Sequence, residues 1–110
     1  MVTNQMHGGW SEPAPLTTQD KKVFAEATRG LTGVVYTPYL VSTQVVNGTN
    51  YRFFCGAKTV TRYANVGFAI VSAHKTFDGR VHLINIQTFD MDSQSTFGGE
   101  MKPPSNYGSW

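Results

Sequence analysis

One cysteine and three histidines are the side chains of this sequence best suited to covalent or metal chemistry: Cys55, His7, His74 and His82. A thiolate held by a neighbouring imidazole is a good nucleophile. Cys55, however, lies beside Phe53 and Phe54 in an apolar run, where a thiol is expected to be an inert core group. His74 and His82 flank the Asp78 turn and are expected to face each other across it as a solvated pair rather than a metal site. The single cysteine excludes a multi-cysteine zinc site and an internal disulfide. The sequence holds no phosphate loop, zinc-binding helix motif or nucleophile elbow. The expectation is a protein that is not an enzyme and takes no cofactor.

Recognition by shape is the chemistry that remains. Gln44-Val45-Val46-Asn47-Gly48 sets two valines beside Asn-Gly, a dipeptide that tolerates the positive φ of tight hairpins. Val45 and Val46 thus offer apolar area at a loop tip, where it costs solubility unless a partner covers it. A second turn dipeptide, Asp78-Gly79, follows Phe77. Near the amino terminus, Gly8-Gly9 follows Met6 and His7.

These segments need a frame. A chain of 110 residues suits one domain with a modest core. Thr17 and Asp20 have the spacing of a capping box. Val23, Phe24, Ala27 and Leu31 then form one apolar stripe, and Gly30 and Gly33 end a helix of about three to four turns. Beyond Gly33 the sequence turns β-branched and aromatic, with alternation that sets Tyr39, Val41, Thr43 and Val45 on one side. Pro38 points to an edge position or a bulge near the start of that strand. Further strands are expected from Thr49 to about Lys58, from Gly67 to Lys75 and from Arg80 to Phe89, with a looser connection over 59–66. The order is a helix followed by hairpin-linked strands: an α+β domain, one α-helix packed on a four- to five-stranded antiparallel sheet. Residues 1–16 are expected to form a flexible amino-terminal trunk, 17–90 the domain, and 91–110 a carboxy-terminal tail rich in Gly, Pro, Ser and Asn.

The segment Gln44 to Tyr51 (Gln-Val-Val-Asn-Gly-Thr-Asn-Tyr) closely resembles the cystatin signature Gln-x-Val-x-Gly in its stefin form. Gly8-Gly9-Trp10-Ser11-Glu12-Pro13 resembles the stefin amino-terminal stretch, and His74 to Gly79 sits where stefins carry their second hairpin loop. The resemblance covers roughly residues 6 to 90. It implies a cystatin-like fold and reversible, competitive inhibition of papain-like, cathepsin-type cysteine proteases, with the trunk and two hairpin loops entering the cleft. Carried over, Met6, His7, Gly8 and Gly9 correspond to the trunk, Gln44, Val45, Val46, Asn47 and Gly48 to the central loop, and Phe77 and Asp78 to the second. The sequence departs from the family at His7, where an apolar side chain would suit a protease subsite better. Asp78 stands where the family has a rigid proline.

The net charge of +2 comes from scattered rather than clustered basic residues, so no nucleic-acid partner is expected. No apolar stretch approaches the ~20 residues of a membrane helix, and no membrane partner is expected. With no secretory signal in the chain as given, a cytoplasmic setting is expected, or an extracellular one if a signal was removed. Asn47-Gly48-Thr49 spells a glycosylation acceptor, taken as an accident of hairpin chemistry in a cytosolic protein. The expected state is a monomer, with a domain-swapped dimer as the alternative open to such folds. The rival functional reading is a non-inhibitory protein-binding module on the same scaffold, using the sheet or the tail aromatics Phe97, Tyr107 and Trp110.

Overall fold

The computed structural model describes residues 9–60 and 66–90. Helix α1 (Thr18–Ala27) precedes strands β1 (Val34–Val46), β2 (Gly48–Thr59), β3 (Val66–Lys75) and β4 (Val81–Asp90). The four strands pair antiparallel in the order β1-β2-β3-β4. One helix packs on this sheet, in the cystatin-like α+β arrangement.

The start of α1 follows from its cap. Thr17 Oγ1 accepts the Asp20 N–H at 3.1 Å, and the Thr17 N–H donates to Asp20 Oδ2 at 2.9 Å. Two N–H groups that the helix leaves unpaired are thereby satisfied, worth about 1 kcal/mol. The apolar stripe buries Val23, Phe24 and Ala27. Leu31 departs from the expectation: the helix ends at ten residues, just short of three turns, and Leu31 lies beyond it, exposed. The polypeptide turns at Thr28, and Gly30 and Gly33 take positive φ on the way to β1.

Under the helix the sheet contributes Val41, Tyr51, Phe53, Cys55, Val71 and Ala73. Phe53 is fully buried at the centre. Its ring meets Phe24 edge-on at 5.1 Å and stacks on Tyr51 at 5.5 Å, so Phe53→Ala would cost about 3–5 kcal/mol.

β1 is an edge strand, and its register shifts between Pro38 and Leu40. Both properties follow from a proline without an N–H. The bulge also corrects the expected alternation. Pro38 lies opposite Cys55 and Val41 opposite Phe53, so these two share the core side. Tyr39 is the extra residue and is turned out to solvent, its ring resting on Gly56, where a Cβ would stand 3.1 Å from the phenol oxygen.

The free side of β1 is partly covered by the segment before the helix. Ser11 N–H donates to Thr43 O at 2.8 Å, and Ala14 and Val41 exchange backbone bonds of 3.0 and 2.8 Å. From Trp10 to Ala14 the amino-terminal stretch is therefore fastened to the sheet as a short fifth ribbon, through the bridges Trp10–Gln44 and Ala14–Val41.

Candidate functional site

The two hairpins turn at the same end of the sheet. In the first, Val46 pairs with Gly48 about Asn47, and Gly48 has φ +100°. In the second, Thr76 N–H donates to Arg80 O at 2.8 Å and Gly79 N–H to Thr76 O at 3.0 Å, with Gly79 at φ +94°. Thr49 pairs with Lys75, so the tips stand side by side. Trp10 pairs with Gln44 in antiparallel sense, so Gly9 lies on the side of Trp10 nearer that same end. Gly9, the Val46-Asn47-Gly48 tip and the Phe77-Asp78 tip are thus aligned along one edge of the domain.

Of the residues expected to contact a partner, Val45 is 43% exposed and Phe77 82% exposed. Phe77 points away from the core rather than folding back on it. Asn47 is exposed, Gln44 and Val46 are half-buried, and Gly48 is buried. Met6, His7 and Gly8 lie outside the described residues, as do the tail 91–110 and part of the 59–66 connection.

Asp78 is held by its neighbours. The Thr76 hydroxyl donates to Asp78 Oδ1, and Arg80 Nε stands 3.2 Å from Asp78 Oδ2. The Thr76 hydroxyl first, and Arg80 second, hold the Asp78 carboxyl below its usual range. Thr76 Oγ1 in turn accepts the Arg80 N–H at 3.0 Å. Hydrogen bonds thus shape this turn.

Three residues that sequence reasoning did not assign bear on the site. Arg52 lays its guanidinium 4.0 Å over the Trp10 ring, a cation–π contact worth about 0.5–1 kcal/mol at an exposed position. Asn50 and His74 join Gln44 in a hydrogen-bonded row beneath the first tip. Pairing about Asn47 makes Gln44 and Asn50 partners, a relation already visible in the hairpin signal. The link to His74 depends on the β2–β3 register, which no local motif announces.

Among the described residues, the groups best suited to covalent chemistry are not gathered. Cys55 is buried in the core, and burial pushes its thiol up to about 12, opposite to what a nucleophile requires. His74 and His82 are cross-strand partners, and no cluster of three or more metal-ligating side chains occurs among the described residues. No helix among them is long and apolar enough to cross a membrane. A shallow apolar cleft of about 240 Å³ between Tyr36, Ala57, Phe68 and Phe89 opens at the opposite end of the sheet, away from the tips. No protein-family model, curated protein or solved structure matches the chain.

Proposed function

We propose that the protein is a reversible, competitive inhibitor of papain-like cysteine proteases, of the stefin kind. The observation that carries this reading is the alignment of three short segments at one end of the sheet: the Gly9-Trp10 start of the ribbon on β1, the Val45–Gly48 tip and the Phe77–Asp78 tip. A protease cleft is a long, narrow slot, and a row of chain segments with apolar tips fits it as a wedge. Protease–inhibitor contacts bury about 800 Å² on each side, within reach of three such segments. A tip closed by β-strand pairing loses little freedom on docking, which favours tight binding. Inhibition here is by occlusion, with no bond made or cut and no cofactor. The reading carries a cytoplasmic monomer in which Cys55 stays reduced, with neither nucleic acid nor membrane as partner.

The test is a titration of papain with the purified protein, following hydrolysis of a small fluorogenic substrate. Submicromolar competitive inhibition is expected. Val46→Asp places a carboxylate where the reading buries a valine, so it should weaken inhibition by about 100-fold or more while leaving the urea midpoint nearly unchanged. Absence of inhibition by the folded wild-type protein at tens of micromolar, or a Val46→Asp variant as potent as wild type, would sink the proposal.

A further inference from the structure

We infer that His74 is a positioning residue for the first hairpin tip, bracing it through Asn50 from the third strand. The consequence for inhibition rests on the function proposed above; the brace itself does not. Gln44, Asn50, His74 and His82 are successive cross-strand partners on β1, β2, β3 and β4, and Trp10 extends the line by its bridge to Gln44. Asn50 Nδ2 donates to Gln44 Oε1 at 2.8 Å. That leaves the Asn50 carbonyl oxygen facing His74 Nδ1 at 2.7 Å. An amide oxygen only accepts, so His74 Nδ1 carries the proton and donates it.

The same ring also limits the tip directly. Cε1 and Nε2 of His74 both stand 2.9 Å from where a Gly48 Cβ would be. Held by Asn50 at one nitrogen, the imidazole presents its other edge to the Gly48 backbone. Gly48, at φ +100°, has no Cβ to restrict its backbone, so the ring adds to the restraint that pairing with Val46 already provides. The His74 ring occupies the space into which the turn would otherwise relax. His74 thus couples the end of β3, one residue before the second turn begins, to the first tip, so the two tips keep a fixed spacing.

The experiment uses isotope-labelled full-length protein in slightly alkaline buffer. Long-range ¹H–¹⁵N spectra of wild type should show His74 as the Nδ1–H tautomer. Asn50→Ala should return it to the commoner Nε2–H form and lower the backbone order parameters of Asn47 and Gly48 from about 0.85 toward 0.6. His74→Ala should loosen the same two residues, and His74→Gln, whose amide can still donate to Asn50, should restore part of their order. Against papain, Asn50→Ala and His74→Ala should each raise the inhibition constant about five- to tenfold. The double variant should be no worse than the weaker single. An Nε2–H tautomer in wild type, or unchanged order at Asn47 and Gly48 in both alanine variants, overturns the brace. If wild type fails to inhibit papain, the proposed function falls while the tautomer and order measurements still decide the brace.

Discussion

Replacing Gly48 with alanine tests two separate demands that the first tip makes on one residue. The backbone demand is φ +100°, a conformation that costs a residue bearing a Cβ about 1–2 kcal/mol. The steric demand is space: an added Cβ would press on the Lys75 carbonyl oxygen and stand 2.9 Å from the His74 ring. A side chain can swing away, but the carbonyl belongs to the paired backbone of β3 and cannot move without disturbing the Thr49–Lys75 pairing. Overpacking of this kind adds about 2 kcal/mol, for a total near 3–4 kcal/mol. Gly79 supplies the control, since it has φ +94° with nothing within 4 Å of its would-be Cβ; Gly79→Ala should cost about 1–2 kcal/mol only. Urea unfolding followed by circular dichroism reads both. With an m-value of about 1.5 kcal/mol/M, Gly48→Ala should lower the midpoint by about 2–2.7 M and Gly79→Ala by about 0.7–1.3 M. Equal losses, within about 0.5 kcal/mol, would refute the argument that β3 approaches Gly48 too closely for any side chain.

The remaining predictions concern pH and the helix cap. Burial raises Cys55 to about 12 and also raises Tyr51, with the Asp20 charge as a smaller cause. Above about pH 9 the unfolded thiol loses its proton while the folded one keeps it, so the folded state binds more protons and stability falls as pH rises, by up to about 1.4 kcal/mol per pH unit. Urea midpoints measured across pH 8–11 should show this fall; Cys55→Ala should remove most of it between about pH 9 and 10, and an unchanged slope would contradict the assignment to Cys55. Thr17→Ala should cost about 1 kcal/mol in urea unfolding by removing the Oγ1 that accepts the Asp20 N–H, and Thr17→Ser should recover most of it. A Thr17→Ala variant as stable as wild type would show that the Thr17 hydroxyl contributes nothing to the cap.

Much of the scaffold was legible because local signals and tertiary demands agreed. Thr17 and Asp20 mark the helix start, Asn47-Gly48 and Asp78-Gly79 mark the turns, and Pro38 marks both an edge strand and a bulge. Where reading failed, a local pattern was continued past the point at which geometry changed. Leu31 fits the helical spacing, yet the chain leaves the helix before reaching it. Tyr39 fits strict alternation, yet the bulge turns it outward. Arg52 and His74 were not assigned because each acts through a partner far away in sequence. Arg52 lies on Trp10 and His74 on Asn50, and such contacts exist only once strand register is fixed.

The apolar core and the tips are held by different forces. The buried cluster reaches from Val71 and Cys55 to Ala73 and Tyr51, and the ten-residue helix that covers it is too short to follow the strands to their ends. Past Tyr51, β1 and β2 continue for several residues with Val45 partly exposed and Val46 only half-buried, so apolar packing alone does not fix the tip. Polar contacts take over there. The Gln44–Asn50–His74 row crosses the sheet one pairing beyond Tyr51, and Thr76, Asp78 and Arg80 close the second turn. A protein arranged this way can expose valine and phenylalanine at its end without relying on them for stability. Core substitutions such as Phe53→Ala should then lower global stability, whereas substitutions in the polar row should loosen the tips at little global cost. That separation is what a docking edge requires: its apolar residues stay available to a partner because the fold does not consume them.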